Sequence, residues 1–198
     1  MAVYHGKSAS LYAWNGTSTS HSSEACTENG TQAQITDAAK RILDPNETQT
    51  FTDSGGKNVI NVDYVQGIAY FDGTVAVVTA TGKHVLAANI TEVGNLTGWS
   101  IETNVELVEA NVFGDTWKKS EAGMLKWNGG AEGFFLNNFW FDAQDELKMW
   151  FVRFRLTASI YLHGWCHIPS VGRGAPIGEL VNKSVTIDGW KHMIAVVP

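Results

Sequence analysis

Cysteine is scarce in this 198-residue chain: Cys26 and Cys166 are the two it has, far apart in sequence. That is too few for a disulfide-framed secreted scaffold. Both are expected as reduced thiols, although two cysteines can in principle pair. Apolar runs are short as well. None approaches the roughly 18 residues of a membrane helix, and no N-terminal stretch joins a basic region to an apolar core, so neither a membrane anchor nor a signal peptide is expected. Synthesis and retention in a cytosol follow from that reading. There the Asn-x-Ser/Thr triplets at Asn15, Asn29, Asn46, Asn89, Asn95 and Asn182 carry no weight as glycosylation acceptors. Positive charge is in deficit: 14 Lys and Arg against 20 Asp and Glu leave a net charge of −6. Such a chain does not grip nucleic acid by neutralising phosphates, but a mildly acidic wall lets nucleic acid slide past.

What the chain does contain is aromatic. Eight Trp, nine Phe and five Tyr against 17% charged residues predict a well-packed core in one domain spanning 1–198, with an N-terminal elaboration over 24–90. Twenty Gly and many Thr, Val and Asn predict a mainly β fold, a sandwich or barrel. A strand is expected over Ala9–Trp14 with a turn at Asn15-Gly16, then a Ser/Thr/His-rich loop to Ser23 with little to bury. Asp37 is placed to cap a short helix running to Leu43, which Pro45 stops. Thr48–Thr52 and Lys57–Tyr64 read as strands joined by the hairpin turn "DSGG", and Thr74–Ala88 as a β stretch broken at Thr81-Gly82-Lys83. Trp99, Ile101, Val105 and Leu107 alternate with Ser100, Glu102, Asn104 and Glu106, and the phase reverses at Val108, which predicts a bulge near Leu107. A helix is then expected: Asp115 caps it, Gly129-Gly130 ends it, and Trp117, Glu121, Met124 and Asn128 fall on one row. Leu147–Trp165, apolar at every even position from Trp150 to Leu162, reads as a long strand or strand pair that must bend or be shared between two sheets.

Chemistry is thin. The "DSGG" tetrapeptide contains Ser54 but lacks the context of a serine nucleophile with its His base. His163, Cys166 and His167 sit close in sequence, and with Cys26 or another His would supply four zinc ligands. On a strand, however, His163 and His167 share a face and Cys166 points the other way, which favours a buried cysteine beside exposed histidines. "VGRGAPIG" lacks the spacing of a phosphate cradle and reads as a loop. Trp117 with its flanking lysines has the composition of a single-strand stacking platform, against which the acidic balance of the chain argues. No catalytic, cofactor or metal constellation is expected.

The stretch "GWSIETNVELVEANVFGDTWKKSEAGMLKWNGGAEGFF" resembles the major tail tube protein of long-tailed bacteriophages, with Phe113–Trp117 its most distinctive block. "ITDAAKRILDPN" with "FTDSGGKNVINVDYVQGIAYF" is similar to an N-terminal elaboration in some of those proteins, and "GELVNKSVTIDGW" to the family's closing β segment. The resemblance implies a β-sandwich or barrel flanked by one helix, polymerising as stacked hexameric rings around a lumen that conducts double-stranded DNA during ejection. Tape-measure, tail-tip and terminator proteins are the implied partners, the virion tail the implied location, and the host cytoplasm the place of assembly. In that reading Phe113, Asp115, Trp117, Lys118, Met124 and Trp127 contribute to a subunit interface, and Ser54–Ala80 and Ile168–Leu180 carry most of the joining, by pairing edge strands across subunits or by reaching to the next ring. Glu102, Glu106 and Glu109 are candidates for the acidic lumen. Another ring-forming tail component, terminator or baseplate hub, fits the same features, and a carbohydrate-binding β-sandwich is the alternative of a different class.

Overall fold

A computed structural model describes residues 10–93, 95–109, 120–134, 139–157, 159–174 and 182–196. The chain is mainly β: two sandwich- or barrel-like sheets, one short α-helix and short 3-10 turns. It divides into two compact units, one of Met1–Leu11, Val93–Leu147 and Arg153–Pro198, the other of Tyr12–Glu92 and Lys148–Val152. Two strands, β1 (Ser10–Trp14) and β11 (Trp150–Arg155), run from one unit into the other. The long apolar run from Leu147 is thus divided twice. Its first strand is shared between units, and a turn in which Leu156 N and Thr157 N donate to Ile160 O leads into the next strand.

The second unit holds β2 (Thr19–Asn29), β3 (Gln32–Ile35), β4 (Thr50–Asp53), β5 (Val59–Asp63), β6 (Ile68–Phe71) and β7 (Val78–His84), ordered β4-β7-β2-β3-β6-β5. Its core is Ile35, Leu43, Phe51, Phe71 and Val78 with small alanines between them. The stretch expected as a loop before Ser23 is the start of β2, a central strand that polar composition hid from sequence reasoning. "DSGG" is not a hairpin either, because β4 and β5 stand at opposite ends of the strand order. Laid flat, six strands would separate them by roughly 24 Å. Yet the Asp53 carboxylate accepts from Lys57 N at 3.1 Å, two residues before β5 begins, so this sheet must curl back on itself. Three backbone donors, Ala76 N first, hold the Asp53 carboxyl below its ordinary value.

Strand β7 continues through Thr81-Gly82-Lys83, where a break was expected. Gly82 is there for room: the Gln49 side chain occupies the place a Cβ would take. The helix expected from Asp37 is a single 3-10 turn, Ala38–Lys40, capped as predicted by Asp37 Oδ1 accepting from Ala39 N at 3.0 Å. Strand β8 (Ile90–Glu92) pairs with β1, and Trp14 packs on Trp150 with Lys148 lying 4.7 Å from the Trp150 ring.

In the first unit β9 (Asn95–Glu109), β10 (Ser120–Phe134), β12 (Tyr161–Gly174) and β13 (Asn182–Val196) form with the end of β11 a sheet ordered β11-β12-β13-β10-β9. The largest correction falls here. Ser120–Asn128, expected as helix, is strand, paired with β9 along its length and joined on its other side by β13 from Asn128 onward. Local helical spacing gave way to nonlocal pairing, which lets Trp127 bury on one face while Lys126 and Asn128 stay on the other. Gly129, expected as a helix stop, serves close approach instead, since a Cβ there would meet Ser100 O at 3.2 Å and the Phe154 ring at 3.4 Å. The helix of this unit is α1 (Phe139–Asp145), which buries Trp140 and Ala143. No helix among the described residues is long and apolar enough to cross a membrane.

Candidate subunit edge and polar sheet face

Alternation sorts the sheet of the first unit into two faces. Trp127, Ala131, Val185, Ile187 and Phe154 are buried on one, with Trp99 leaning on Phe154 at a ring separation of 5.2 Å. Gly98, Ser100, Glu102 and Asn104 of β9, Lys126, Asn128, Gly130 and Glu132 of β10, and Ser184, Thr186 and Asp188 of β13 line the other. Cross-strand rows can be read directly from the register: Glu102–Asn128–Asp188–His167, Ser100–Gly130–Thr186–Ser170, and Gly98–Glu132–Ser184–Gly172. Apart from Asn128 and His167, these rows are glycine, small hydroxyls and acids. Lys126 supplies a cation, 3.0 Å from Asp188 Oδ1, and Ser170 Oγ lies 3.0 Å from Thr186 Oγ1. Because so few of these side chains rise far from the backbone, the face carries a hollow of about 460 Å³ over Gly98, Ser100, Gly130, Glu132, Ser184 and Thr186.

Beside that face lies an open edge. β9 is the last strand of the order, and β10 is its one strand partner among the described residues. The ladder between β10 and β13 begins only at Asn128, so Ser120–Trp127 has β9 alone beside it. That leaves a two-stranded ribbon of roughly 25 Å, a construction marginal in water without a further partner. A register shift does occur opposite Leu107, where a bulge was expected, but the extra residue belongs to β10: Ala122 faces Leu107 and Leu125 faces Val105.

The other edges are blunted. β8 has three residues and β4 four. β5 is bulged at Ile60, because Val59 faces Phe71 while Asn61 already faces Tyr70, and the Ile60 side chain is 68% exposed. Short length and bulges are the usual means by which sheet edges avoid pairing. Of Ile168–Leu180, expected to pair edges or to reach to the next ring, the described part, Ile168–Gly174, lies in β12, between β11 and β13 in the strand order, and is therefore not a sheet edge.

Of the residues expected at a subunit interface, Phe113, Asp115, Trp117 and Lys118 lie outside the described residues, and Met124 is in strand β10 rather than on a helix. Trp127 is 1% exposed, seated in its own unit against Gly164 and Gly189, which corrects its assignment to an interface. Of the acids expected in a lumen, Glu102 stands exposed on the polar face, while Glu106 and Glu109 belong to the distal part of β9.

The remaining chemical candidates do not converge. Cys26 and Cys166 are buried thiols not joined in a disulfide; burial pushes the Cys26 thiol up to about 11 and the Cys166 thiol higher still. His163 is buried rather than exposed, and burial, with the Arg153 charge second, lowers it to about 4. His167 is exposed on the polar face, so the sequence cluster is split across the sheet, and no group of three or more metal-ligating side chains occurs among the described residues. Ser54 Oγ accepts from Val77 N at 3.3 Å, a role in a turn. The "VGRG" expected as loop is the end of β12. The pair that sequence reasoning missed is His21 and His84, buried together in the second unit; their separation by 63 residues gave no signal. No protein-family model matches this chain, and no curated protein matches it.

Proposed function

We propose that this protein builds the hollow tail tube of a long-tailed bacteriophage, its copies joined edge to edge in stacked hexameric rings through which double-stranded DNA passes. The observation that carries this reading is the fifteen-residue open edge of β9 with its projecting ribbon, in a chain whose other edges are short or bulged. An edge of that length is a liability in a monomer and a joint in a polymer. Two further features support it. The sheet that ends in β9 presents a face of glycine and hydroxyls on which the acids Glu102, Glu132 and Asp188 outnumber the one lysine among its described residues, Lys126, itself paired to Asp188, a balance that disfavours adhesion of phosphates. The resemblance over Gly98–Phe135 covers the β9–β10 hairpin from its fourth residue onward. A carbohydrate-binding module would instead want surface tryptophans, whereas Trp14, Trp127, Trp140, Trp150 and Trp165 are all buried.

Electron microscopy of the purified protein over a concentration series, with light scattering for mass, tests the proposal. Six-membered rings or uniform hollow tubes are the expected outcome. A monomer at every concentration that also binds an immobilised glycan would overturn it.

A further inference from the structure

In the second unit, His21 on β2 faces Gly82 on β7, a residue without a side chain. The imidazole therefore reaches diagonally to His84, two positions along, and the two Nδ1 atoms meet at 3.3 Å with the rings tilted at 51°. Both residues are buried. His21 Nε2 is buried without a hydrogen-bond partner. The arrangement that strands no donor therefore has His21 Nδ1–H donating to His84 Nδ1. The contact sits beside the weakest point of the seam. One extra residue on β2 interrupts the ladder between His21 and Glu24, Ser23 takes a left-handed φ of 52°, and its N–H turns to Thr81 Oγ1.

The charges around the pair are already engaged. Glu24 on β2 is ion-paired to Lys40, which also lies 3.7 Å from Asp37. Lys83 on β7 is paired to Glu47 at 2.6 Å. From the segment that bridges to His84 at Leu43, Asp44 accepts from Asn46 N and Nδ2 at 2.9 Å, and Arg41 donates to the carbonyls of Ile35 and Thr36. A first proton taken up by the pair goes to His21 Nε2, leaves the one Nδ1–H between the rings, and so keeps the hydrogen bond. A second sets two N–H groups against each other in a buried site, with Lys40 adding to the repulsion.

We propose that His21 and His84 form an acid-released tie across the β2–β7 seam, closed while the pair holds at most one proton and opened by the second. Burial lowers both imidazoles, His21 further through His84, so the open form binds protons more tightly than the closed one. Opening therefore becomes easier as pH falls below about 6.5, by up to tenfold per pH unit for each extra proton.

Hydrogen exchange of the full chain by mass spectrometry at pH 7.5, 6.5, 5.5 and 4.5, with intrinsic rates divided out, reads this seam. Protection of Thr19–Asn29 and Val78–His84 should fall by about tenfold or more between pH 6.5 and 4.5. In His21→Asn, whose amide can still donate to His84 Nδ1 but takes up no proton, that fall should shrink by about threefold or more, to the one-proton response of His84 alone, while the response of β12 around His163 is unchanged. If His21→Asn does not fold, ring-proton NMR of the wild type decides. His21 and His84 must then titrate in two coupled steps below about 6.5, with β2 and β7 broadening at the second. Constant protection of the seam, an undiminished acid response in His21→Asn, or titration of both rings near 6.5 without broadening would each overturn the proposal.

Discussion

At Gly189 the fold leaves space for a hydrogen and nothing larger, because the indole of Trp127 lies where a Cβ would project. Gly189→Ala must move that ring or the backbone under it, at a cost of about 3 kcal/mol, the upper end for overpacking. Urea denaturation should report it as a lower midpoint with the slope unchanged. His163 allows a second prediction at this scale, with a sign that follows from its burial. The unfolded imidazole titrates near 6.5 and the folded one at about 4, so His163 contributes stability in full above about 6.5 and loses it as pH falls toward 4. The whole window is worth about 3 kcal/mol, and His163→Gln should flatten the pH dependence of β12 protection over that range. The sequence advertised these residues poorly. Trp127 fitted a helix stripe as readily as a strand, and whether a histidine is buried depends on the strand that covers it.

Among elements, the start of β11 is held in the second unit by one side chain that imitates a neighbouring strand. Asn46 Oδ1 accepts from Met149 N at 2.8 Å and Asn46 Nδ2 donates to Met149 O at 3.0 Å. Asn46→Ala leaves both backbone groups of Met149 unmatched, and should cost about 2 kcal/mol in equilibrium denaturation. Asn46→Asp keeps the acceptor but faces a carboxylate to the Met149 carbonyl, so it should recover less than half of that loss. Elements whose patterns are local were legible in advance: β1 with its Asn15-Gly16 turn, the Asp37 cap, and the exposed even-numbered residues of Ser100–Asn104. The helix expected from Asp115 was not, because the spacing of Trp117, Glu121, Met124 and Asn128 suits a helix in an isolated segment, and the strand emerges only once β9 and β13 lie alongside.

For the whole molecule, the proposed joint makes a prediction that separates assembly from folding. Successive N–H groups along a strand point in opposite directions, so of Glu102→Pro and Thr103→Pro one removes a bond to β10 and the other blunts the outer edge of β9. The first should unfold the sheet. The second should keep the circular dichroism of the wild type yet sediment as a monomer at concentrations where the wild type assembles; tubes formed by both variants would remove β9 from the interface. The sequence by itself determined the β class, the aromatic core and the acidic balance, since composition and period-two alternation act residue by residue. Only the tertiary structure decided that β4 and β5 end the order of a curled sheet, that β9 is the long open edge, and that His21 meets His84. Each of those rests on pairing between segments far apart in the chain, and a strand's own residues do not specify which partner completes it.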